Sequence, residues 1–94
     1  MQSYLFEWEN DRTLQRRIRR YVDDNFLAID NKEEGAGQLA LEKAMQWTRE
    51  TMEREGCPEQ VIEQQCEETA VSILQFELFQ KFLGDVGVWE NDYE

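Results

Sequence analysis

The sequence contains no histidine, and it is poor in basic residues. Without an imidazole there is no Ser-His or Cys-His catalytic pair, no histidine general base and no Cys/His zinc site. The chain has 10 Lys and Arg residues against 21 Asp and Glu residues, which gives a net charge of -11. Because so acidic a chain repels phosphate backbones, nucleic-acid binding by the whole surface is disfavoured.

Cysteines and long apolar runs are also scarce. The two cysteines, Cys57 and Cys66, fit neither a CxxC spacing nor that of a zinc site. On one continuous helix they would lie about 13 Å apart, which is too far for a disulfide bond. No apolar run approaches membrane-spanning length, and the first residues show no signal-peptide pattern. We therefore expect a cytoplasmic protein with reduced thiols and no membrane contact.

The residues that are present favour a folded helical protein. Three Trp, three Tyr and five Phe are more aromatic residues than disordered chains contain. Apolar side chains at three- and four-residue spacing predict a first helix over residues 11–29, capped by Asn10 or Asp11. A second helix is predicted over residues 38–55. The segment 30–37 between them holds two glycines and no apolar periodicity, so it forms a loop.

A third helix is predicted over residues 58–83. Gly56 ends the second helix and Pro58 suits the first turn of the next, so these two helices form a hairpin. We predict an all-α fold, a three-helix bundle that takes in residues 1–94 as one domain. The terminal segments 1–9 and 85–94 are interpreted as possible arms.

The tetrapeptide Trp-Glu-Asn-Asp occurs twice, near the two ends of the chain. The copies lie at residues 8–11 and 89–92. In the first copy Asn-Asp can cap a helix, whereas the second copy has almost no chain left to cap. No physical reason for the repeat follows from the sequence.

The second half of the third helix is apolar around most of its circumference, with nine apolar residues among the fourteen from Ala70 to Leu83. A helix that is apolar on all sides must be covered on all sides, and two helices with modest apolar stripes cannot easily do that. We therefore expect a homodimer, or a tight complex with another protein, through this helix. The predicted contact residues are Val71, Leu74, Leu78, Phe79 and Phe82.

Half of the basic residues cluster at the start of the first helix. Residues 1–20 carry a net charge of +2, whereas residues 21–94 carry -13. The predicted charged contact face, opposite the apolar stripe, consists of Arg12, Arg16, Arg19 and Arg20. One interpretation is that this face binds RNA, DNA or an acidic partner. It can also be a solvated surface that is neutralised by acids one turn away, such as Asp23 and Asp24, and the acidic remainder of the chain favours this second interpretation.

No pattern predicts a cofactor, a metal site or a catalytic site. The loop that starts at Asp30 places Gly35 where an EF-hand has its glycine, but Lys32 and Leu41 stand at positions that need oxygen ligands. Glutamates one helical turn apart lack the histidine of a dinuclear helix-bundle site. We expect a non-enzymatic protein that holds no cofactor or metal.

The function that we predict is that of a small acidic protein–protein interaction module. It acts as a regulator, adaptor or inhibitor that docks on a basic partner surface, because acidic charge steers such encounters. One alternative is a nucleic-acid mimic that inhibits a DNA- or RNA-binding protein, for which Glu59, Glu63 and Glu67 make a short row. Another alternative is an RNA-binding protein that uses the Arg-rich first helix.

Overall fold

The computed structural model describes residues 6–85 of the chain. In this range a 3-10 turn, Trp8–Asn10, precedes three helices, which are α1 (Arg12–Asp30), α2 (Ala36–Arg54) and α3 (Glu59–Asp85). Each helix packs against the other two, and no strand occurs within the described range. The predicted all-α three-helix bundle is therefore confirmed. None of these helices combines the length and the apolar character needed to cross a lipid bilayer.

The first predicted arm is described from Phe6 onward, whereas residues 1–5 and 86–94 lie outside the described range. Phe6 is buried, and its amide donates a hydrogen bond to Gln65 Oε1 at 3.4 Å. The Trp8 ring lies 5.7 Å from the ring of Phe76. The described end of this arm therefore packs along α3. The first Trp-Glu-Asn-Asp copy forms the 3-10 turn and leads into α1.

Helix α1 begins at Arg12, one residue later than predicted, because Asp11, one of the two predicted capping residues, caps it. The Asp11 carboxylate accepts a hydrogen bond from the Leu14 amide at 3.0 Å. Its buried residues recur every fourth position and face the other two helices. The helix is interrupted at Asn25, where φ is -120° and ψ is 15°. The Asn25 amide donates to the Tyr21 carbonyl at 2.9 Å, a local hydrogen bond that accompanies the kink.

Helix α2 ends in a Schellman motif centred on Gly56. The Gly56 amide donates to the Glu53 carbonyl at 3.1 Å, and the Cys57 amide donates to the Met52 carbonyl at 3.0 Å. Gly56 has a φ of 83°, in the left-handed region that favours glycine. The chain then turns directly into α3, so the predicted hairpin connection is confirmed.

Helix α1 ends in the same motif, but a lysine occupies the left-handed position. The Lys32 amide donates to the Ile29 carbonyl at 3.0 Å, and the Glu33 amide donates to the Ala28 carbonyl at 3.0 Å. Lys32 has a φ of 56°. The backbone of Lys32 is strained at this angle, because a left-handed conformation brings the Cβ atom too close to the following carbonyl oxygen.

Side-chain contacts set the directions of the helices. Arg19 reaches Glu77, and Lys81 lies 3.8 Å from Asp23, so contacts advance by four residues in both helices. Helices α1 and α3 therefore run parallel, and α2 runs antiparallel to both between two short loops. The apolar core lies where the three helices meet. Its buried apolar residues are Phe6, Leu14, Ile18, Val22, Ala40, Ala44, Met52, Cys57, Ile62, Cys66, Ala70, Ile73 and Leu74.

Candidate interaction surfaces

The most prominent apolar surface lies on the C-terminal half of α3. It consists of Phe76, Phe79 and Phe82, which we call the phenylalanine face. Their exposed fractions are 39%, 60% and 54%. The core already takes Ile73 and Leu74 from the same half of the helix, so within residues 6–85 no other helix covers the aromatic side chains on the outer side. Exposed groups of large apolar residues are typical of protein contact sites.

The predicted contact residues on α3 divide between the core and the surface. Leu74 is buried in the core of the chain, and Leu78 packs against that core. Val71 is half-buried, whereas Phe79 and Phe82 are exposed. The structure therefore leaves the two phenylalanines, rather than the whole predicted set, available to a partner.

Phe76 is a member of this face that the sequence analysis did not select. Its position suits the core side of α3, next to Ile73. In the structure its ring turns toward Trp8 and stays partly exposed. Its spacing of three residues from Phe79 is the signal that groups the two side chains on one surface.

The predicted charged face divides in a similar way. Arg12, Arg16 and Arg20 are exposed and form a row with one residue per helical turn, which we call the arginine row. Within residues 6–85 none of the three forms an ion pair. Arg19, in contrast, reaches across to Glu77 on α3. Arg17 lies 4.8 Å from the ring centre of Trp47, in a cation–π contact.

Glu77 is an acidic residue inside the α1–α3 contact. Only 2% of it is exposed, and the Arg19 Nε donates to its Oε1 at 2.9 Å. Its second oxygen, Oε2, is buried without a hydrogen-bond partner in the described part of the chain. Burial raises the pKa of Glu77 above its ordinary value, and the hydrogen bond from Arg19 opposes that rise. The apolar periodicity of α3 does not predict this buried position, because a glutamate is not part of an apolar pattern.

A cleft of about 360 Å³ lies on the outer side of the α2–α3 pair. Its floor is formed by Met45, Ile62 and Cys66. The Cys66 thiol donates to the Met45 carbonyl with an Sγ–O distance of 3.4 Å, and burial raises the pKa of this thiol. We call this feature the α2/α3 cleft. Its rim carries Glu42, Gln46, Arg49, Glu63 and Glu67.

Two members of the predicted row of glutamates on α3, Glu63 and Glu67, lie on the rim of this cleft. Glu59, Glu63 and Glu67 are all exposed. Glu59 accepts a hydrogen bond from Arg49 at 2.6 Å, and Glu53 lies 3.3 Å from the same guanidinium. One member of the row is therefore neutralised within the chain, while the other two face solvent.

Two carboxyl groups come together at the surface near the start of α1. Hydrogen bonding with the neighbouring Asp11 carboxylate, which requires a proton on Glu55, raises the pKa of Glu55. Acid–base catalysis by two carboxyl groups needs one of them in an apolar pocket, whereas Glu55 is exposed. Within the described range, no three His, Cys, Asp or Glu side chains are grouped so that they could hold a metal ion.

Comparison with known proteins adds no assignment. A scan against models of protein families, a search of curated proteins and a search of solved structures each find no match for this chain. The surfaces described above are therefore the basis on which we infer a function.

Proposed function

We propose that this protein is a small acidic, non-enzymatic interaction module that regulates, links or inhibits by docking on a basic surface of another protein. The observation that carries the proposal is the phenylalanine face. Three phenylalanines on one helix remain exposed although the chain has a core of its own. The net charge of -11 favours a basic partner, and the cytoplasm remains its expected location.

Aromatic residues are enriched among the anchors that carry most of the energy of a protein contact. Removing one such anchor costs about 2–4 kcal/mol, and 2 kcal/mol corresponds to about 30-fold in affinity. Phe79 and Phe82 are the best candidates because more than half of each is exposed in the free chain.

A pull-down from a host extract tests the proposal. We expect the wild-type chain to retain a basic protein, and F79A/F82A to lose at least about 30-fold in affinity for it. L27A/L39A is the matched control, because it removes two exposed leucines from α1 and α2. Equal recovery of the partner by F79A/F82A and the wild type would contradict the proposal.

RNA binding is a second candidate function, and the arginine row favours it. Three exposed arginines one turn apart, with no ion pair to another described residue, form a small cationic surface on an acidic chain. The same pull-down distinguishes the two functions. If RNA is the ligand, we expect the chain to retain RNA from the extract. Nuclease treatment and the R12A/R16A/R20A variant then abolish this retention of RNA, whereas F79A/F82A does not.

The third candidate, a nucleic-acid mimic, has less support. In the row of Glu59, Glu63 and Glu67 that would imitate phosphates, the charge of Glu59 is already neutralised by an ion pair with Arg49. The remaining carboxylates are better explained as the rim of the α2/α3 cleft.

A further inference from the structure

The α2/α3 cleft combines an apolar floor with an open, acidic entrance. Met45, Ile62 and Cys66 present carbon and sulfur atoms to a space of about 360 Å³. A concave recess of this size with an apolar floor can accommodate another side chain.

The charge around the entrance is negative. Glu42, Glu63 and Glu67 are exposed there, and none of them forms an ion pair with another residue of the described range. Arg49 also lies at the rim, but its guanidinium already contacts Glu53 and Glu59. A group that enters the cleft therefore meets three carboxylates whose charge is not neutralised in the free chain.

This arrangement selects the chemistry of its occupant. An acidic group is repelled by the rim. A wholly apolar group leaves the negative charge of the rim carboxylates without a counter-charge while it restricts their access to water, and this holds also for Glu42, which accepts a hydrogen bond from Gln38 at 3.1 Å. A long basic side chain satisfies both parts, because its methylene stem packs on apolar surface while its charged end stays near the carboxylates. Arginine suits the site better than lysine, because its guanidinium is less strongly hydrated and has five donors.

We propose that the α2/α3 cleft binds an arginine side chain presented by a partner protein, with the stem against Met45 and Cys66 and the guanidinium between Glu42, Glu63 and Glu67. The inference rests on the proposed function and names the group by which a basic partner is recognised. It concerns a surface on α2 and α3 that does not include the phenylalanine face.

Methyl NMR of the methionines tests this proposal with a defined probe. The probe is a short capped peptide of alanine, glutamine and arginine, and the matched peptides carry lysine or uncharged citrulline in place of arginine. We expect the arginine peptide to shift the Met45 methyl signal and to leave that of Met52, which is buried in the core, unchanged. The lysine peptide should bind more weakly, and the citrulline peptide should produce no shift.

Charge variants separate the cleft from general attraction to an acidic chain. E42Q/E63Q/E67Q should lower the affinity for the arginine peptide by at least about tenfold. The control variant D24N/E33Q/E34Q removes the same charge from exposed positions on α1 and the α1–α2 loop. It should lower the affinity for the arginine peptide by about twofold or less. Because both sets of positions are exposed, we expect both variants to keep the fold. An unchanged Met52 methyl signal checks this.

Three results would overturn the proposal. They are an unshifted Met45 signal at about 1 mM arginine peptide, equal binding of the lysine peptide, and equal weakening by the two triple variants. Failure here is distinguishable from failure of the proposed function. If F79A/F82A still loses the cellular partner while Met45 never responds to arginine, the interaction module stands and the cleft does not contribute to it.

Discussion

At the scale of single residues, Glu77 is the most unusual member of the fold. It lies almost fully buried between α1 and α3, and Arg19 satisfies only one of its two oxygens. The Arg19 side chain is 39% exposed, so the pair is screened on one side. Burial outweighs the hydrogen bond from Arg19, and the pKa of Glu77 is raised.

This raised pKa predicts a specific pH dependence of stability. A carboxyl group whose pKa is raised by folding stabilises the fold at low pH and loses that contribution as the pH rises through its folded pKa. We therefore expect the free energy of unfolding of the wild type, relative to Glu77→Gln, to fall as the pH rises above about 4.5, the ordinary pKa of the carboxyl group.

Urea unfolding of the two proteins between about pH 4 and 7 measures this difference. Glu34→Gln serves as the control for the loss of one negative charge, because Glu34 is exposed in the α1–α2 loop. A wild type that gains stability over Glu77→Gln as the pH rises would show that Arg19, rather than burial, dominates.

At the scale of the elements, the two helix ends that share a Schellman motif differ in the residue at the left-handed position. Gly56 occupies it after α2 with φ 83°, and Lys32 occupies it after α1 with φ 56°. A side chain in this region costs about 1–2 kcal/mol, whereas glycine adopts the same backbone freely. The α2–α3 hairpin therefore has the better residue at its turn, and the α1–α2 loop carries strain.

Substitutions at these two positions should have opposite effects. We expect Gly56→Ala to lower the free energy of unfolding by about 1 kcal/mol, and Lys32→Gly to raise it by up to about 1 kcal/mol. Lys32→Ala is the control, because it removes the same charge but keeps a Cβ atom. Chemical denaturation measures all three, and equal stabilities of Lys32→Gly and Lys32→Ala would contradict the strain at Lys32.

At the scale of the whole molecule, net charge and exposed aromatic surface have opposite effects on self-association. Two copies that joined through the phenylalanine face would bury Phe79 and Phe82, but each copy carries a net charge of -11. Self-repulsion between them is screened by salt, whereas attraction to a basic partner is weakened by salt. The two ways of covering this face therefore respond oppositely to ionic strength.

This opposition predicts how self-association depends on salt. We expect light scattering after size exclusion to show a dimer, of twice the 11.3 kDa chain mass, whose fraction grows as salt is added. F79A/F82A should remain a monomer under the same conditions, and L27A/L39A should behave like the wild type. A wild-type monomer at every salt and protein concentration would contradict the predicted homodimer, and the phenylalanine face would then contact a different protein.

The sequence by itself determined what depends on neighbours along the chain. The three helices, a cap at Asn10 or Asp11 and the turn at Gly56 and Pro58 follow from local hydrogen bonding and from apolar residues at helical spacing. The pair Arg49–Glu53, one turn apart on α2, is predictable for the same reason. The surplus of apolar residues on the third helix is also visible before any folding is considered.

Only the tertiary structure decided which of those residues meet. Whether Leu74 or Phe79 enters the core depends on where α1 and α2 lie around α3, which helical periodicity alone does not specify. The pair Arg19–Glu77 joins residues from two helices, and local spacing pointed instead to Asp23 as the acid nearest to Arg19. The α2/α3 cleft likewise exists only because two antiparallel helices bring Met45 and Cys66 together. The physical reason is the same throughout, because the free energy of burial depends on which surfaces face each other and not on their separation along the chain.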